Sequence, residues 1–217
     1  EGLGKPHKQN GYIPENSQHL YMRKVILCIS LSIISILSSG QNNQIDSLNA
    51  VLASAKDDTS KVNTLITLSN KLVRSNPEAS IQYSIQAKEL AEKLNYKKGL
   101  AYALKSIGMG HYFKAEYIDV LIYWQMSLNT FDSIGEKIGV ANMSSHLGAV
   151  HFSQGDDTKA IEYYLQSLKV SEEIGDKLRI ATALVNIGAV YSNKPGTHDI
   201  ALQYYQWALP LAREIGT

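Results

Sequence analysis

The chain reads as an all-α protein: an α-solenoid of about four stacked helix-turn-helix repeats behind an N-terminal capping helix. Three observations predict this. Glycine recurs at steps of 40 residues, as Gly108, Gly148 and Gly188. A second series, Asn95, Gly135, Gly175 and Gly216, keeps nearly the same interval, its last member one residue late. Between these marks apolar residues recur at three- and four-residue steps, the helical period. Self-similarity at a fixed interval of a few tens of residues signals stacked supersecondary units rather than one globular core. Such arrays present extended surfaces, so the expected class of work is binding.

The elements follow in order. Residues 1–21 have few apolar residues and no periodicity, and precede a plausible start at Met22; they read as a disordered or upstream segment. Residues 22–40 have the three-part layout of a secretory signal peptide. Met22-Arg23-Lys24 is basic, Val25 to Leu37 is apolar, and Ser38-Ser39-Gly40 are small residues before Gln41. The 13-residue apolar run would span only about 20 Å as a helix, short of a bilayer's hydrocarbon core. A cleaved leader is therefore favoured over a membrane anchor. The single cysteine, Cys28, lies inside it, so the mature chain would need no disulfide. In residues 42–57, Ile45, Leu48, Val51 and Leu52 mark an amphipathic capping helix.

Four rows then cover residues 58–217, as 58–97, 98–137, 138–177 and 178–217, each reading as two amphipathic helices around a short turn. In the third row Val140, Met143, Leu147 and Val150 carry the first helix, Gln154-Gly155-Asp156 breaks it, and Ile161, Tyr164, Leu165, Leu168 and Ile174 carry the second. Asn76 and Pro77 are a good N-cap and first helical residue for the first row's second helix. The fourth row's turn, Asn193-Lys194-Pro195-Gly196, is one residue longer. Asn95, Gly135, Gly175 and Gly216 fall where a helix ends in a left-handed residue. Gly108, Gly148 and Gly188 fall mid-helix, where glycine costs roughly 1 kcal/mol, so a close approach of the paired helix is expected. Leu68 holds that place in the first row, where looser or differently angled packing is expected. A fifth row would begin where the sequence stops.

These positions resemble the tetratricopeptide repeat, whose pattern is a large apolar residue, Leu-Gly, an aromatic, and a later alanine and aromatic. The fourth row gives Leu184, Ile187, Gly188, Tyr191, Ala201, Tyr205 and Ala208; the third Ser144, Leu147, Gly148, His151, Ala160, Tyr164 and Ser167. The second gives Leu104, Ile107, Gly108, His111, Val120, Trp124 and Ser127. The first departs most, with Leu68 and Lys71 for the glycine and aromatic, while Tyr83 and Ala87 keep register. The usual repeat has about 34 residues and ends at a proline; this chain is similar to the longer 40-residue variety, with Ile-Gly-Asp/Glu-Lys at that place.

The resemblance implies a peptide-binding groove on the concave side, lined by the first helices. Its residues would be Tyr102, Lys105, Ser106, Met109 and Tyr112 in the second row, and Asn142, Ser145, His146, Ala149 and Phe152 in the third. Thr182, Val185, Asn186 and Ala189 would follow in the fourth. In long-repeat relatives an asparagine two before the glycine holds a peptide backbone; Asn186 fits, while His146 and Ser106 depart from it. The resemblance also implies a role as the exported, periplasmic or cell-envelope input region of a bacterial histidine kinase or nucleotide cyclase. The alternative is a free-standing cytoplasmic adaptor, with residues 22–40 a core helix.

Catalytic, cofactor and metal sites are not expected. Gly108-Met109-Gly110 follows no strand, and no triad stands out. His111 and His151 are equivalent residues in successive rows, on the order of 10 Å apart, too far to share one ion. Tyr123-Trp124, Tyr163-Tyr164 and Tyr204-Tyr205 read as packing. Lys159, Glu162, Lys169, Glu172 and Glu173 read as a solvated face. Of 21 basic and 20 acidic residues, Lys5, Lys8, Arg23, Lys24, Glu1 and Glu15 fall in the first 40, leaving 17 against 18 with no basic run. A nucleic-acid partner is therefore not expected.

Overall fold

The computed structural model describes residues 44–216. The segment 1–21, the leader 22–40, residues 42 and 43 of the expected cap, and residue 217 lie outside the described residues. From Leu48 onward the described residues cluster as one compact unit. Among the described residues there are helices and no strands, and no helix is long and apolar enough to cross a membrane.

Helix α1 (residues 44–54) is followed by four helix pairs. They are α2 (Thr59–Leu72) with α3 (Pro77–Lys93), α4 (Lys97–Phe113) with α5 (Tyr117–Ser133), α6 (Lys137–Ser153) with α7 (Asp157–Glu173), and α8 (Lys177–Ser192) with α9 (His198–Ile215). Each pair packs on itself and on the next, and the first helices also touch one another, α2 with α4 and α6 with α8. That brings the first helices to the inner side of the stack. The core is correspondingly segmented. One cluster joins Val62, Leu65, Ala87 and Leu90; a second joins Val120, Trp124, Phe131, Met143 and Leu147; a third joins Ala160, Tyr164, Ile187 and Val190. Leu52 packs on the first of these and Asn49 accepts from the Tyr83 hydroxyl at 3.3 Å, whereas Val51 stays half exposed.

The punctuation follows from capping. The Asp58 carboxylate accepts from the backbone N–H of Ser60 and Lys61, and Asn76 from that of Ala79, with Pro77 opening the helix behind it. Asn95, Gly135 and Gly175 take φ of 51°, 67° and 67°, as expected. At Gly135 the glycine N–H reaches Asp132 O and the next N–H reaches Phe131 O, both at 3.0 Å, which satisfies two terminal carbonyls. Gly216 differs, with φ −84°. Helix α9 runs through Ile215 and places Gly216 at the cap itself, one position before the one that turns left-handed.

The mid-helix glycines meet rings of the paired helix. A Cβ on Gly108 would lie 2.5 Å from Trp124 Nε1, on Gly148 2.8 Å from Tyr164 Cδ1, and on Gly188 2.6 Å from Tyr205 Cε1. In the first row the two sizes are exchanged. Leu68 stands for the glycine and Ser84 for the ring, and both are fully buried. Room left by the missing ring is also used for hydrogen bonds, since Ser69 Oγ lies 2.6 Å from Ser84 Oγ and 2.8 Å from Ser80 Oγ.

Candidate binding groove

The inner face is built by the exposed sides of α4, α6 and α8. Their buried sides carry Ala103, Leu104 and Ile107, then Met143, Leu147 and Val150, then Ala183, Leu184 and Ile187. The helical period turns the intervening residues outward. Of the expected groove residues, Tyr112, Ala149, Thr182 and Val185 are exposed, and Tyr102, Lys105, Met109, Asn142, Ser145, His146, Phe152, Asn186 and Ala189 are half-buried. Ser106 is different. It is 3% exposed, and its hydroxyl donates to Asn70 Oδ1 at 3.1 Å, so the face there is presented by Asn70 of α2.

Much of the polar inventory stitches one first helix to the next. Arg179 Nε donates to Asn142 Oδ1 at 2.9 Å while its guanidinium also pairs with Asp176, and Asn186 Nδ2 donates to Ser145 Oγ at 3.4 Å. Asn142, Ser145, His146, Arg179 and Thr182 line a cavity of about 220 Å³ between α6 and α8. Asn186 therefore already spends one amide hydrogen inside the face, and its carbonyl and second hydrogen remain for a ligand. Asn70 and Arg179 were not among the expected groove residues; Arg179 is three residues past the cap Asp176, a position the glycine spacing does not mark.

Aromatic rings form a continuous series along the face. Tyr117 lies 6.2 Å from Tyr112, Tyr112 stacks on Trp124 at 5.8 Å, and Trp124 meets the His146 imidazole at 5.3 Å. Trp124 is fixed from behind, because its indole N–H donates to Lys105 O at 3.1 Å. Tyr102 packs edge-on against Phe131 at 5.0 Å and so belongs as much to the core as to the groove. Burial pushes the His146 imidazole down to about 4, with the charge of Lys105 adding to the effect, and burial lowers Lys105 as well.

His111 and His151 occupy a different environment. Each stacks on a tyrosine of the second helix, Tyr123 and Tyr163, with centroids 5.5 Å apart, and Tyr191 stacks on Tyr204 in the fourth row. Each imidazole Nδ1 faces the acid at the start of the next helix, Glu116 at 2.7 Å and Asp156 at 3.5 Å. His111, Glu116 and Asp119 bring one ligand atom each to within 4.8 Å of the others, a grouping within one row that the comparison of successive rows does not anticipate. The Lys114 ammonium, 2.9 Å from Glu116, already supplies positive charge there, and Lys159 replaces Asp119 in the next row.

Residues 139–214 match the tetratricopeptide repeat family model. No curated protein gives a significant match to the chain. Among solved structures it is similar to aspartyl phosphate phosphatase F from Bacillus subtilis, with a TM-score of 0.73 at 17% identity over 81% of this chain and 49% of that one. It is also similar to a Rap protein complexed with competence and sporulation factor (TM-score 0.69, 18% identity, 84% and 52%). A third is a signal transduction ATPase with numerous domains and a tetratricopeptide repeat sensor from Pyrococcus horikoshii (TM-score 0.66, 19% identity, 85% and 30%). The chain thus spans about half the length of the first two structures and less of the third. At these identities the likeness is one of fold. Residues 139–214 thus carry the tetratricopeptide repeat by sequence, and the helix pairs before them repeat the same helix-turn-helix layout.

Proposed function

We propose that the protein is a non-catalytic scaffold that binds an extended peptide or protein segment along the inner face of α4, α6 and α8. The observation that carries this reading is the row of outward polar and aromatic side chains on adjacent first helices, ending in the exposed ring of Tyr112. An extended backbone needs its polar groups satisfied, and Asn142, Ser145 and Asn186 stand in sequence to do so. Tyr112 and Phe152 offer apolar anchors of the type that dominates binding hot spots. A Rap protein of similar fold has been solved complexed with competence and sporulation factor, which supports the same use of this fold. The test is selection of random displayed peptides on the wild-type protein. Tyr112→Ala with Asn186→Ala is expected to abolish capture of the selected peptides while leaving the helical circular dichroism intact. Glu162→Ala with Lys169→Ala, on exposed positions of α7, is expected to leave capture unchanged. Loss with the α7 pair alone would move the binding surface to the second helices.

The finer reading is that this scaffold is the exported input region of a larger bacterial signalling protein. The leader-like layout of residues 22–40 supports it. Expressed from Met22 in a bacterial host, the protein is expected to reach the periplasm and lose its leader near Gly40 and Gln41. Intact Met22 on a cytoplasmic product, read by mass spectrometry, would favour the free-standing adaptor instead.

A further inference from the structure

The second helices form the outer side of the stack, and α5 differs there from its neighbours. It buries Val120, Trp124, Ser127, Leu128 and Phe131 toward the core, and the helical period turns Ile118, Ile122 and Met126 away from it. These three are 78%, 50% and 43% exposed and form one stripe at four-residue steps. The same places carry Glu78, Gln82 and Gln86 in α3, and Thr158, Glu162 and Gln166 in α7, all exposed. The rows on either side therefore meet solvent with polar groups where α5 sets large apolar ones. Packing within the protein does not use them. Adjacent exposed apolar side chains with a polar surround mark a contact surface, and methionine adapts to varied partners.

The charges around the stripe define what can cover it. Helix α5 has no lysine or arginine, and its two carboxylates, Asp119 and Asp132, stand near its two ends, roughly 20 Å apart along the axis. At the first end Glu78, Glu116 and Asp119 gather around a single ammonium, that of Lys114, which lies 3.4 Å from Glu78 and 2.9 Å from Glu116. At the other end Asp132 has no ion pair among the described residues. A second copy fits poorly, because an isologous contact sets the face against itself. Antiparallel, Asp119 would meet Asp132; parallel, each would meet its twin. An anionic bilayer is repelled for the same reason. We infer that the outer face of α5 docks an amphipathic helix of a partner protein, its apolar stripe on Ile118, Ile122 and Met126 and its lysine or arginine residues on Asp119 and Asp132. This surface lies on the opposite side of the repeat from the groove and does not depend on what the groove binds.

The probes are three helical peptides of about 18 residues, long enough to cover α5. All carry leucine in one stripe at three- and four-residue steps, and their flanks carry lysine, glutamine or glutamate. Fluorescence anisotropy with the full chain is expected to rank them in that order, the lysine peptide binding about tenfold or more tighter than the glutamate peptide. Ile122→Gln with Met126→Gln installs the residues that α3 already tolerates at these places. The pair is expected to weaken the lysine peptide about tenfold or more through lost apolar burial, with urea unfolding unchanged. Asp119→Asn with Asp132→Asn should erase the preference for lysine flanks and keep the leucine-dependent part of the binding. Asn186→Ala in the groove should change neither readout. Equal binding of the three peptides, or an affinity that the glutamine pair leaves alone, overturns the proposal. So does a dimer in sedimentation of the protein alone that the glutamine pair dissolves, which assigns the face to a second copy. Binding to phosphatidylglycerol vesicles that the same pair abolishes assigns it to a membrane and overturns the proposal equally.

Discussion

Gly108→Leu is expected to cost roughly 3 kcal/mol or more of stability, the upper end of overpacking penalties, and more than the same change at the two equivalent glycines. The reason is the ring it meets. A Cβ at Gly108 falls 2.5 Å from Trp124 Nε1, and this indole has no way out. It is 3% exposed, its N–H is bound to Lys105 O, and its faces are held by Tyr112 and His146. Gly148 meets Tyr164, also 3% exposed, at 2.8 Å, and the backbone oxygen of Ala160 at 3.2 Å, so Gly148→Leu should be nearly as costly. Gly188 meets Tyr205, which is 36% exposed and can rotate toward solvent; there the cost should fall to about 1 kcal/mol. Lys169→Leu on the outer face should be close to neutral. Urea unfolding followed by circular dichroism reads the series directly. An equal loss at all three glycines would mean that backbone crowding, and not the pinned ring, sets the penalty.

How much of this was legible in sequence depends on whether the signal is periodic. The fold was, because capping and helix contact both recur at the repeat interval: Asn95, Gly135 and Gly175 turn left-handed where the spacing places them, and Gly108, Gly148 and Gly188 meet a ring. Gly216 departs from the series because the longer fourth turn delays the helix start and the glycine alike, while α9 has 18 residues against 17 in α7 and so ends one residue nearer the glycine. The exchange of Leu68 and Ser84 was only half visible. Each departs from the pattern singly, and that the two face each other across α2 and α3 is a relation between two helices that the period within one helix does not contain.

The groove was legible as a face and not as a set of free groups. Helical period assigns outward positions, yet it does not say which polar groups are consumed by neighbours. Ser106 turns inward onto Asn70, and Arg179 reaches across to Asn142. Both bonds join residues 36 or 37 apart, a separation set by the superhelix and absent from any local window.

The first row offers the sharpest test of how these repeats share volume. Leu68→Gly alone should cost about 4 kcal/mol, combining a buried cavity with a mid-helix glycine. Ser84→Tyr alone should cost about 3 kcal/mol, because the ring must enter the space Leu68 fills. It also removes one of the hydroxyls that Ser69 contacts, though Ser80 Oγ at 2.8 Å keeps Ser69 satisfied. The double variant restores the glycine and ring of the other rows, and it is expected to recover about 2–3 kcal/mol relative to the sum of the single changes, the upper range for residues in contact. Chemical unfolding of all four proteins closes the cycle, provided each single variant keeps a cooperative transition. Should a single variant melt the first row outright, the comparison passes to hydrogen exchange in α2 and α3, where the double variant must regain the protection that the single lost. Strict additivity in the first measurement, or no regained protection in the second, would mean that Leu68 and Ser84 are independent departures from the pattern of the other rows.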